Sequence, residues 1–100
     1  MIIIGELINS SRKNIKLAVE NKDIAYIQEI AKKQEAAGAN YIDVNAGTRV
    51  HDEIEVLSWL VEIVQEVVSV PLCIDSPYPL AIDAALKLHK GQALVNSITA

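Results

Sequence analysis

Acids and amides recur at the downstream ends of four short apolar runs. The first run ends in Gly5-Glu6, with Asn9 close behind. The second holds Asp43 and ends at Asn45, followed by Ala46-Gly47-Thr48. The third ends at Asp75-Ser76 and the fourth at Asn96-Ser97. A carboxylate only accepts hydrogen bonds, whereas an amide both donates and accepts. Together they suit a flat heterocycle that shows N–H donors beside ring acceptors, and Asp75 with Asn96 could read such an edge. A buried polar group left without a partner costs about 1–3 kcal/mol, so the wrong heterocycle would be rejected.

Each residue also has a plainer use. Asp75 could help cap the following helix, although Ser76 already suits that role. Asn96 could satisfy backbone at a strand end. Asp43 lies two residues before its strand end and could support neighbouring loops. Glu6 and Asn9 could be turn residues, and Asn45 and Gly47 fit loop shaping better than direct contact. Cys73 has no partner for an internal disulfide, and its apolar neighbours make it a buried small residue rather than a nucleophile. His51 and His89 are isolated, without metal-ligand spacing, and read as surface residues. Arg49 could meet an anionic tail, but a solvated arginine is the simpler reading. Trp59 reads as core, and Lys32-Lys33 as a solvated face. There is no GxxxxGK[ST] or GxGxxG loop, no Cys/His cluster for zinc and no GxSxG elbow.

The elements that must position these residues alternate. Ile2-Ile3-Ile4, Tyr41 to Asn45, Leu72 to Asp75 and Ala93 to Asn96 are β-rich. Between them run stretches of helical period. A short helical turn is expected around Asn14 to Val19. A helix from about Asp23 to Ala37 has Asp23 as N-cap, Ile27, Ile30, Ala31 and Gln34 on one face, and Gly38 as its stop. The next spans about Asp52 to Val68, with Leu57, Leu60, Val61, Val64 and Val68 as its stripe, and Pro71 bars its extension. The last spans about Pro77 to Leu88, with Ser76 as N-cap, Pro77 in the first turn, and Leu80, Ala81, Ala84, Ala85 and Leu88 buried.

The order β-α-β-α-β-α-β implies a parallel sheet with helical crossovers. The polar residues then share the carboxyl edge of the sheet, where barrels and open α/β sheets both place their sites. An eight-fold barrel takes about 250 residues, and four strands cannot close one. The 100 residues are therefore expected to be a fragment of a longer chain rather than a small open α/β domain. They show no linker, no low-complexity segment and no internal domain boundary.

Composition excludes other classes. Half of the residues are apolar and 22% are charged, an ordinary globular balance and unlike a disordered chain. With 13 acids against 9 bases the net charge is −4, and Trp59 and three tyrosines are the only aromatics. Nucleic-acid binding is disfavoured, since no basic stripe interleaves with aromatics. No apolar run approaches the ~20 residues of a membrane span. The opening Met1-Ile2-Ile3-Ile4-Gly5-Glu6 does not resemble a secretory signal, so a cytoplasmic location is expected.

The ordered motifs Ile4-Gly5-Glu6-Leu7-Ile8-Asn9, Ala37-Gly38-Ala39 leading into Asp43-Val44-Asn45-Ala46-Gly47, Leu72-Cys73-Ile74-Asp75-Ser76 and Val95-Asn96-Ser97 resemble the opening of methyltetrahydrofolate–corrinoid protein methyltransferases. The likeness covers essentially the whole chain and about the first two-fifths of such an enzyme. Dihydropteroate synthases, which also bind pterins, usually carry an Asn-Val-Thr-Pro-Asp-Ser-Phe-like stretch after the first strand. Here Asn9 is followed by Ser10-Ser11-Arg12-Lys13, which favours the methyltransferase branch. A non-catalytic α/β binding domain is the alternative from another class.

The resemblance implies a (β/α)8 TIM barrel, of which residues 1–100 supply four strands and three helices of one pterin-binding domain. It implies methyl transfer from N5 of methyltetrahydrofolate to Co(I) of a corrinoid (cobalamin-type) cofactor carried by a partner protein. Asp75 and Asn96 would hydrogen-bond the pterin, with Asn96 also near N5 as the catalytic candidate. Asp43, Glu6 and Asn9 would line the same mouth. No resident metal is implied, and a homodimer is expected for the full-length enzyme.

Overall fold

The computed structural model describes residues 1–47, 52–91 and 93–96, the last of these, Asn96, by its backbone alone. Strands β1 (Ile4–Asn9), β2 (Tyr41–Asn45), β3 (Leu72–Asp75) and β4 (Leu94–Asn96) alternate with helices α1 (Lys13–Glu20) and α2 (Ile24–Ala36), then α3 (Glu53–Gln65), then α4 (Pro79–Leu88). The strands are all parallel and lie in the order β1-β2-β3-β4. A doubly wound sheet would reverse its strand order at a switch point. Unbroken sequential order is that of a (β/α)8 barrel, and the chain supplies four consecutive strands of it.

One face of the sheet builds the core. Ile8, Ile42, Val44, Leu72 and Ile74 are fully buried together with Ile15, Ile27, Leu57, Leu60, Val61 and Val64 from the helices. Side chains alternate across a strand, so Asp43, Asn45, Cys73 and Asp75 occupy alternate positions in the same strands. Helix α2 begins as its sequence dictates: Asp23 accepts a hydrogen bond from Tyr26 N at 3.2 Å, an N-cap. Beyond its end Gly38 adopts φ +101°, where a β-carbon would be strained. The short turn expected near Asn14 is a full eight-residue helix, α1. Trp59 is partly buried against the core, and Lys22 Nζ lies 4.9 Å from its ring centroid.

Several expectations need correction. Strand β1 does not stop at Gly5-Glu6 but runs to Asn9. Gly5 pairs with Ile42 and Ile8 with Val44, so three steps along β1 match two along β2. This bulge interrupts the alternation by which a strand is recognised. Helix α3 ends at Gln65 rather than Val68. Helix α4 starts at Pro79, with Tyr78 rather than Ser76 as its N-cap residue. The rule for proline in a first turn holds, but the proline is Pro79 and not Pro77. The buried face of α4 is Ala81, Ile82 and Ala85, while Leu80 is 71% exposed and Leu88 is also exposed. His89 is not a simple surface residue. Its Nε2 accepts from Leu72 N at 3.2 Å, and its Nδ1 lies 3.3 Å from the Gly91 carbonyl oxygen, tying the end of α4 to the start of β3. His51 lies outside the described residues.

Candidate functional site

Register turns the scattered acids and amides into a row. Asn9 pairs with Asn45, Asn45 with Asp75, and Asp75 with Asn96. One polar residue from each strand thus stands at the same level, at the carboxyl end of the sheet. One level deeper, Asp43 pairs with Cys73 and Cys73 with Leu94. Parallel pairing places register partners on one face, so both levels face away from the core. The structure therefore brings Asn9, Asp43 and Asp75 together and puts the backbone of Asn96 beside Asp75. The side chain of Asn96, together with Thr48, Arg49 and Ser97, lies outside the described residues. Glu6 is exposed, and its charge is felt by Asp43 and Cys73, so it belongs to the same cluster.

Local hydrogen bonds hold the rim in shape. Asn9 Oδ1 accepts from Ser11 N at 2.8 Å, and Asn45 Oδ1 accepts from Gly47 N at 2.6 Å. These are turns closed by a side-chain amide. Each ties its carbonyl oxygen to backbone, so what either amide can offer a ligand is its N–H donors and the oxygen's second lone pair. Gly47 has φ +74°, and a β-carbon there would stand 2.8 Å from Ser11 N. Only glycine fits where the loops after β1 and β2 meet. Asn45 thus shapes its loop, as its sequence context indicates.

Electrostatics single out the deeper level. Asp43 is 5% exposed. Burial first, and the Asp75 charge second, push its carboxyl up from 3.8 to about 7. A hydrogen bond from the Cys73 thiol works against that rise, while one shared with Asp75 and the charge of Glu6 add to it. Near neutral pH Asp43 therefore keeps a proton for much of the time and can donate as well as accept. Burial, followed by the Asp43 charge, pushes the Cys73 thiol from 9.0 up to about 12. Cys73 stays a thiol at neutral pH and is a poor nucleophile. Its burial agrees with the sequence reading, but its place beside Asp43 was missed. The signal was there, since Cys73 precedes Asp75 by two residues and shares its face.

Two further contacts escaped the sequence. Gln34 of α2 accepts from Leu7 N at 3.1 Å with its Oε1, capturing an N–H within the bulge of β1. Gly5 makes room for it, because a β-carbon there would stand 2.8 Å from Gln34 Cδ. Glu53 and Ser76 are both buried and hydrogen-bonded to each other at 2.9 Å. A concavity of about 520 Å³ opens on the helical side, between the first turns of α3 and α4, lined by Ile54, Tyr78, Leu80 and neighbouring residues. It does not include the polar row. Among the described residues no group of His, Cys, Asp and Glu is arranged to hold a metal ion, and no helix is long and apolar enough to cross a membrane.

Sequential parallel strands with a polar row at their carboxyl ends define a barrel-type ligand site. The family profile described as "pterin binding enzyme" matches residues 5–100, and the chain belongs to that family. A methylcorrinoid:tetrahydrofolate methyltransferase from Eubacterium limosum is 50% identical over 99 residues. The aligned region covers 99% of this chain and 36% of that relative, so the chain spans little more than a third of the relative's length.

Proposed function

We propose that the chain is the N-terminal part of an enzyme that moves a methyl group between N5 of a tetrahydrofolate and the cobalt of a corrinoid carried by a partner protein. The observation that carries this reading is the in-register row Asn9–Asn45–Asp75–Asn96 in a chain of the pterin-binding family. A pterin ring shows N–H donors beside ring acceptors. The Asp75 carboxylate can take the donors, and the Asn96 amide can serve either kind. Asp43, Glu6 and Asn9 complete the mouth around the ring.

The chemistry sets what these residues must do. The methyl group of methyltetrahydrofolate sits on a tertiary amine, a poor leaving group. A proton at or near N5 lets the amine leave as a neutral species. When bound, the partner's corrinoid supplies a strongly nucleophilic Co(I) that accepts the methyl group in line. The chain's residues would orient the pterin and stabilise the protonated transition state, with Asn96 nearest N5. No covalent intermediate on the protein is required. Read donor first, the relative's name describes the opposite direction. Both directions pass through one transition state, so the residue roles are the same in each.

The test uses the intact polypeptide, mixed anaerobically with methyltetrahydrofolate and cob(I)alamin, and follows loss of the Co(I) absorption band. Protein-dependent loss is expected, and Asn96→Ala should slow it about 100-fold or more, as removal of a transition-state hydrogen bond typically does. A folded, intact protein that leaves the band untouched, and that also fails to demethylate methylcob(III)alamin with tetrahydrofolate, would sink the proposal. The faster of the two reactions identifies the preferred direction.

A further inference from the structure

Glu53 and Ser76 take no part in the pterin contacts proposed above, yet both are buried, at 6% and 1% exposure. The Ser76 hydroxyl donates to Glu53 Oε2 at 2.9 Å and accepts from Tyr78 N at 3.1 Å. Ser76 directly follows Asp75, the last residue of β3, and Glu53 is the first residue of α3. A side-chain contact therefore joins the turn behind Asp75 to the helix that follows β2. The helix start favours a negative charge, and a hydroxyl donating to a carboxylate is a strong, charge-assisted bond.

Stability alone does not account for this pair. Taking a carboxyl group out of water is costly, and replacing both partners of a buried hydrogen bond by apolar groups of the same shape can be nearly neutral or stabilising. Asp75, in contrast, has a specific need. It is the last residue of β3, so its carboxylate keeps one direction only if the turn that Ser76 begins is held from behind.

We propose that Glu53 is a positioning residue of the pterin site, acting through Ser76 to hold the turn after β3 and so the direction of the Asp75 carboxylate. This rests on the reading of Asp75 as a pterin contact. It predicts that the pair matters to affinity for the folate and not only to folding.

Tetrahydrofolate binding to the intact protein, measured by anaerobic calorimetry on samples shown by circular dichroism to be folded, tests it. Glu53→Ala and Ser76→Ala should each weaken the Kd about 10-fold, the scale of one charged hydrogen bond. The double variant should be little weaker than the weaker of the two single ones, because the Glu53–Ser76 contact is lost in both. Glu53→Gln should stay within about threefold of wild type, since the amide oxygen accepts the same hydroxyl hydrogen. A lowered Tm with an unchanged Kd would overturn the inference and leave a purely structural pair. Failure of Glu53→Gln to rescue would overturn it too. If Glu53→Ala does not fold, Ser76→Ala decides the question from the other side of the contact. A wild-type protein that does not bind tetrahydrofolate, with Asp75→Ala equally silent, would instead remove the pterin reading on which the inference stands.

Discussion

At Asp43 four pressures act together: loss of water, the charge of Asp75, a hydrogen bond shared with Asp75 and the charge of Glu6. Their joint effect fixes the sign of a pH dependence. The unfolded chain releases this proton near 3.8, and the folded chain holds it to about 7. Between those values the folded state binds more protons than the unfolded one, so stability falls as pH rises. The cost is absent below about pH 4 and fully present above about pH 7. Asp43→Asn cannot ionise and should be more stable than wild type by about 1–2 kcal/mol at pH 8, with no such advantage at pH 4. Urea unfolding of both proteins at the two pH values measures it. A difference independent of pH would mean that Asp43 is ionised throughout. The spacing of acids and amides made Asp43 and Asp75 legible as site candidates. The proton on Asp43 was not legible, because residues from three strands create its environment.

Among the elements, β1 shows how a site depends on a helix behind the sheet. Its bulge turns one N–H out of the ladder, and Gln34 of α2 accepts it. Gln34→Leu keeps the apolar bulk but leaves Leu7 N without that acceptor. The expected cost is about 1–3 kcal/mol, with faster amide exchange at Leu7 than at Ile8. Unchanged stability and exchange would show that water replaces Gln34 without loss. The helical pattern foretold that Gln34 shares a face with Ile27 and Ala31, both buried. It did not foretell the bulge, since alternation fails where an extra residue enters. The start of α4 was misplaced for a similar reason. Ser76 has the chemistry of a cap, but its hydroxyl is drawn to Glu53, a residue 23 positions away in sequence, and the helix begins at the next proline.

For the molecule as a whole, the sheet ends, among the described residues, in two unpaired edges, β1 and β4. Ile2 and Ile3 lie exposed beside the first, and Leu94 and Val95 are exposed on the second. Unpaired strand edges with apolar side chains template pairing with other chains. A polypeptide of residues 1–100 alone is therefore expected to self-associate, eluting from a sizing column above its 10.9 kDa mass and increasingly so at higher concentration. The relative's chain extends well beyond the aligned region, and further strands of a barrel would pair both edges. A concentration-independent monomer would show that the edges are protected in some other way.

What the sequence determined by itself is what local physics controls. Alternating β-rich runs and amphipathic stretches imposed parallel strands with helical crossovers. Asp23 and Gly38 set the limits of α2, and acids and amides at the strand ends marked the carboxyl edge as the candidate site. Only the tertiary structure decided the register that aligns Asn9, Asn45, Asp75 and Asn96, the bulge in β1, the protonation of Asp43 and the Glu53–Ser76 tie. Each of these depends on groups distant in sequence, whose mutual distances, and hence hydrogen bonds and charges, exist only once the strands have paired.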